Sequence, residues 1–267
     1  MSKLNKAPLI EVIFEMKWGQ TMQKENEFYI QFSQEEQALM PGKFQLHAEG
    51  VGFGTIEVLK DQPPLPHLIK YRYRKKPNGY PLFQLGDGIF AINQTDIDGY
   101  EYDWDVFIND LKIGIELFAK SYPFHITSLP LIDIQLRYRD AILADENESI
   151  ISFINNKLNI GNIALPQKLI NDANIDTTCP SGSFAFKVGC TKPNGQIVCQ
   201  INQGISDGKK AYIIDFIVIS KVNVFNEIST EKIIEWCKDA HNHHRIIFEA
   251  VISDSLMRSF KDEINIT

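Results

Sequence analysis

The 267-residue chain predicts an α+β fold of two similar units, each running strand, helix, several strands, helix, with a curved, mainly antiparallel sheet and the helices on one side. Three observations carry this. The apolar period switches between two residues and three to four, in the same order in each half. Pro8-Leu9-Ile10-Glu11-Val12 recurs 122 residues later as Pro130-Leu131-Ile132-Asp133-Ile134. Lys76-Pro77-Asn78-Gly79 recurs 116 residues later as Lys192-Pro193-Asn194-Gly195, and Gln84-Leu85 and Gln200-Ile201 begin five residues after the two glycines. These matches divide the chain into units 1–124 and 125–267, packed as one body.

In the first unit, residues 8–18 are rich in β-branched and aromatic side chains and predict a strand entered from Pro8. A helix is expected over 25–40, then strands over 43–49, 52–60, 67–75 and 80–92, separated by Gly50, the prolines at 63, 64 and 66, and Pro77-Asn78-Gly79. Trp104, Phe107, Ile108, Leu111, Ile115 and Phe118 recur at helical spacing up to Pro123. The second unit predicts a strand over 129–143, a helix over 148–157, a loop over 160–182, and strands over 183–190, 196–203 and 211–220. A final helix starts from Ser229 as N-cap, with a stripe of Ile233, Cys237, Ala240, His244, Ile247 and Val251 continuing to Phe260. Two such units about a pseudo-twofold resemble the TATA-binding protein and its structural relatives, a likeness of fold alone.

With 27 Lys+Arg against 34 Asp+Glu the net charge is −7, which argues against a protein that coats nucleic acid or an anionic membrane but leaves room for one local basic groove. The chain has no apolar run of membrane-spanning length and its start lacks a secretory signal, so a cytoplasmic location is expected. The phosphate-loop, dinucleotide and nucleophile-elbow motifs are missing, so no cofactor and no catalytic residue is predicted. Cys179, Cys190, Cys199 and Cys237 form no C-x-x-C pair. If Asn194-Gly195 makes a two-residue hairpin turn, Cys190 and Cys199 face each other on an apolar sheet face, as buried, reduced thiols rather than a redox pair.

Five basic residues fall within Lys70-Tyr71-Arg72-Tyr73-Arg74-Lys75-Lys76. Alternation places Lys70, Arg72 and Arg74 on one face and the tyrosines on the other, so stacking rings and phosphate contacts would not share a surface. Arg137 and Arg139 lie on the first strand of the second unit, and these five residues form a candidate basic binding face. Its plain alternative is a solvated strand face that discourages edge pairing. His241 and His244 share a helix face near Asp239, but without metal-ligand spacing they predict a packed His244 and a polar contact from His241 to the sheet, with no metal. Glu11 and Glu15, about 13 Å apart on a strand, are too distant for a catalytic dyad and are expected to be solvated or paired with arginines such as Arg137.

K-A-P-L-I-E-V-I-F-E-M-K-W, F-Q-L-G-D-G-I-F-A-I-N-Q, I-D-I-Q-L-R-Y-R-D-A-I and A-H-N-H-H-R-I-I-F-E-A-V-I-S-D, in that order, resemble a sporadically distributed, uncharacterised bacterial family known by a TIGR number. The resemblance points to Glu11, Glu15, Trp18, His241 and Glu249 as motif positions without assigned roles. Pro8, Leu9, Leu136, Arg137, Tyr138 and Phe248 complete the pattern, while Arg139-Asp140 replaces an Asn-Arg pair. The family's patchy occurrence is like that of defence or toxin–antitoxin genes. The expectation is a non-catalytic binding or regulatory protein acting with a partner protein. The alternatives are a nucleic-acid-binding saddle, and a small-molecule-binding protein or enzyme with its pocket between sheet and helices. A homodimer is left open, and no membrane partner is expected.

Overall fold

The computed structural model describes residues 7–261 apart from 25–26, 64, 98, 165, 167, 169–171 and 173–181. The first half runs β1 (Leu9–Trp18), a hairpin of β2 (Gln20–Lys24) and β3 (Glu27–Gln31), α1 (Gln34–Ala38), α2 (Met40–Gly50), β4 (Thr55–Val58), β5 (Ile69–Arg74), β6 (Leu82–Gly86), β7 (Ile89–Thr95) and α3 (Trp104–Ser121). The second runs β8 (Leu131–Leu143), α4 (Ile150–Lys157), β9 (Ser183–Thr191), β10 (Asn194–Ser206), β11 (Lys209–Ser220), α5 (Thr230–Val251) and α6 (Asp254–Lys261). Nine strands form one sheet in the order β4-β5-β6-β7-β1-β8-β11-β10-β9, while β2 and β3 pair with each other. Every pairing is antiparallel. The central β1–β8 pair carries the sheet without a break across the expected boundary after residue 124.

Alternation along β1 buries Val12, Phe14, Met16 and Trp18 on one face, and Ile134, Leu136 and Tyr138 of β8 continue it. The helices cover this face. Phe44 of α2 meets Tyr73 and Phe90, Phe118 of α3 packs edge-on to Trp18, Phe153 of α4 stacks on Tyr212, and His244 of α5 lies flat on Tyr138. Each such fully buried phenyl ring contributes about 1.5–3 kcal/mol through removal from water. Ser149 and Ser229 cap α4 and α5 by accepting from the N–H groups of Ser152 and Lys232, and Asp103 accepts from Val106 at the start of α3. No helix among the described residues is long and apolar enough to cross a membrane.

Four local expectations are corrected. Residues 43–49 lie within helix α2 and not in a strand: Phe44, Leu46 and Ala48 mimic alternation, but the helix buries Met40, Phe44 and Ala48 at four-residue spacing and leaves Leu46 exposed. The helix expected over 25–40 is replaced by β3 and the five-residue α1, which Ser33 and Glu36 start with a reciprocal capping box. The final helix stops at Val251. Ile252 then bridges to Leu158, and α6 begins at Asp254.

The fourth correction concerns the turn between β9 and β10, which uses Lys192-Pro193, since Thr191 pairs with Asn194. Proline has no N–H for the ladder, and this register removes Pro193 from the strand that an Asn-Gly turn would have placed it in. Cys190 therefore faces Gly195, and Cys199 faces Phe186. Four residues along the sheet, about 13 Å, separate the two cysteines. Cys190 Sγ donates to the Pro193 carbonyl (3.0 Å), while Cys199 and Cys237 are buried and free. Cys179 and much of the expected 160–182 loop lie outside the described residues.

Gly114 lets α3 approach the sheet. A Cβ there would come within 2.6 Å of Ile92 Cδ1 and 3.2 Å of the Phe83 and Phe90 rings. Gly114→Ala, although a gain in helix propensity, is expected to cost about 1–3 kcal/mol through overpacking. Urea unfolding measures this, and a stabilised variant would show that α3 has room to move away.

Candidate functional site

The core packed under the named helices takes one face of each strand, and the intervening residues form the opposite face, much of it also buried. Alternation and register place Glu11, Ile13, Glu15 and Lys17 of β1 there, beside Ala91 and Asn93 of β7 and, on the other flank, Gln135, Arg137 and Arg139 of β8. Gln84, Arg72 and Glu57 extend it through β6, β5 and β4, and Asp215, Ile217, Val198 and Gln200 extend it through β11 and β10.

A directed row of hydrogen bonds crosses this face. Arg72 pairs with Glu57 at 3.4 Å and donates from Nε to Gln84 (3.2 Å); Gln84 donates to Asn93 (2.6 Å), and Asn93 to Glu11 (2.7 Å). Arginine can only donate and an ionised carboxylate only accept, so the two ends dictate how both amides point. Glu11 lies directly opposite Arg139, which donates through Nε and Nη2 to Asp215 at 2.8 and 3.1 Å. That two-pronged bond raises the Arg139 pKa further.

The candidate basic residues thus share a region but do not form a uniformly basic one. Lys70 is held by Asp87 at 2.6 Å, and Arg74 donates to the Gly79 carbonyl with its guanidinium over the Tyr80 ring. Tyr73 is buried on the helix side, as alternation predicted. Glu15 pairs with Lys17 (3.5 Å), and the residue opposite Arg137 on β1 is Ile13, so the glutamate–arginine neighbours here are Glu11 and Arg139. Arg137 has no hydrogen-bond or ion-pair partner among the described residues, and its Nε is closed to solvent.

The remaining motif positions lie elsewhere. Trp18 is in the core and donates Nε1 to Glu36 (2.9 Å), and Glu249 is exposed on α5. His241 makes the expected contact to the sheet: its Nδ1 is 2.6 Å from the Tyr138 hydroxyl, which is 3.1 Å from that of Tyr102. The three groups form a continuous chain of hydrogen bonds whose direction is set by the His241 tautomer. The His241 ring stacks on Trp104 at 3.9 Å, and His244 stacks on Tyr138 at 3.6 Å. Burial, reinforced by Arg245, lowers the His241 pKa to about 4, and burial with His241 nearby lowers that of His244 to about 3. This cluster ties α3 and α5 to β8 inside the core. Among the described residues there is no group of three or more His, Cys, Asp or Glu side chains that could hold a metal.

A cleft of about 560 Å³ opens at one end of the sheet beside the β2–β3 hairpin, lined in part by Gln20, Leu129, Asn223, Phe225 and Glu227. It contains none of the candidate residues. The sequence reading also missed Gln84, Asn93 and Asp215, whose polar side chains in otherwise apolar strands were the available signal. No protein-family model, curated protein or solved structure matches the chain.

Asp140, on the core side of β8, is 2% exposed and its Oδ2 has no partner; burial and the charge of Asp215 push its pKa up to about 8. Its contribution to stability is fully present below the unfolded value of 3.8 and is lost as pH rises to about 8. His241 and His244 act oppositely. Their folded pKa values lie below 6.5, so stability is lost as pH falls from 6.5 toward 4 and 3. Between pH 6.5 and 8 the slope left from these three groups is that of Asp140. Asp140→Asn is expected to flatten that alkaline decline and keep the acid one, checked by urea unfolding across the pH range; an unchanged alkaline slope would place the titration elsewhere.

Proposed function

We propose that this protein is a non-catalytic binding or regulatory module that holds a partner protein on the sheet face opposite the named helices, in the cytoplasm of a bacterium and in a defence or toxin–antitoxin setting. The observation that carries the reading is the character of that face. Arg72, Arg139 and Lys17 each meet a carboxylate on it, while Ile13, Ile217 and Val198 lie between them. Opposite charges pair off across this face and leave it balanced, which favours a protein partner, whereas a nucleic-acid saddle needs a field of one sign. The motif resemblance supports the bacterial setting.

A duplicated origin also fits. The strand order β5-β6-β7-β1 is mirrored by β9-β10-β11-β8, with α3 following one set and α5 the other. This supports the two-unit reading and its TATA-binding-protein-like arrangement. Within it the shared face is what two fused halves would offer a partner.

A tagged pull-down from the native host tests the function. Gln200 is exposed on the proposed face, and Lys112 is exposed on the helix side. A stoichiometric partner held at moderate salt, weakened at least tenfold by Gln200→Arg and unaffected by Lys112→Glu, is the expected result. Capture insensitive to Gln200→Arg would overturn the proposed face. Recovery of nucleic acid alone, lost steeply with salt, would replace the reading with the saddle.

A further inference from the structure

Arg137 stands at the middle of the sheet and differs from its charged neighbours in having no hydrogen-bond or ion-pair partner among the described residues. Its partners in register are Ile13 on β1 and Ile217 on β11. The carboxylates at the diagonal positions are engaged elsewhere: Glu11 by Asn93, Glu15 by Lys17 and Asp215 by Arg139. Its Nε is closed off without a partner, while the side chain as a whole is only half-buried. An enclosed donor without an acceptor is costly to leave unpaired. The two isoleucines also keep the local dielectric low, which strengthens the attraction of the guanidinium for an opposite charge brought to it.

Resting on the binding reading above, we infer that Arg137 is the anchor for a carboxylate carried by an acidic segment of the partner protein. The two-oxygen carboxylate matches the paired terminal nitrogens of a guanidinium. A phosphate fits less well. Glu11, Glu15 and Asp215 flank the position, and their repulsion is greater toward a dianion than toward a single carboxylate charge. A lone arginine in a neutralised, partly aliphatic setting is also the kind of residue that dominates protein interfaces.

The test pans a displayed library of random dodecapeptides on the full-length protein and on its Arg137→Gln and Arg137→Glu variants, after thermal melts show that both variants fold. The wild-type protein is expected to enrich peptides with Asp or Glu at one fixed position, and Arg137→Glu to enrich Lys or Arg there. Arg137→Gln should weaken the wild-type peptides at least tenfold, as should a Glu→Gln change in the peptide, and the two losses should not add. Peptides blocked by Gln200→Arg yet indifferent to Arg137 would overturn the anchor and leave the binding reading standing. No enrichment, or peptides insensitive to both residues, would remove both. Displacement of acidic peptides by inorganic phosphate at equal concentration would make Arg137 a general anion site and overturn the carboxylate assignment.

Discussion

The pairing of β1 with β8 is the constraint on which the rest depends. Each strand joins one flank of the sheet to the other, β1 through β7 and β8 through β11. Because side chains alternate strictly, their register also decides what each face carries. A slip of one residue would bring Glu11, Glu15, Arg137 and Arg139 against the helices and put Phe14, Met16 and Tyr138 in water. The burial of Phe14, Met16 and Tyr138 holds the register, and the opposite face follows from it.

The two faces solve the polar problem differently. On the helix side, polar groups are few and are enclosed by rings: Tyr102, Tyr138 and His241 share protons while Trp104 and His244 stack over them. On the opposite side, polar groups run from strand to strand in a row whose ends are ions. Such a row is cooperative, since each bond orients the next, and it holds long side chains in place. An ordered surface loses less side-chain entropy when a partner settles on it.

Much of this was legible in the sequence, and the failures have particular causes. The strands at 8–18, 129–143 and 211–220 and the helices from Trp104 and Ser229 stand out because long amphipathic periods average over exceptions. Met40–Gly50 misled because three apolar residues two apart satisfy a strand pattern locally, while the helical contact of Phe44 with Tyr73, Phe83 and Phe90 is long-range. The Lys192-Pro193 turn was hidden by the stronger Asn-Gly signal beside it. In the site, residue types and faces were readable but pairings were not. The sequence placed five cations on strands, and only register shows that Glu57 and Asp215 neutralise Arg72 and Arg139 while Arg137 has Ile13 and Ile217 beside it.

The central position of β1 also bears on the order in which the chain is made. Its partner β7 leaves the ribosome while β8, some 120 residues beyond β1, is still to be synthesised. Were the first half to pair in that interval, it would form a five-stranded sheet with β1 at one edge, its backbone N–H and C=O groups unpaired. Exposed strand edges are templates for wrong pairing. The charged side chains of Glu11, Glu15 and Lys17 along that edge would then protect a nascent chain before they belong to any finished surface.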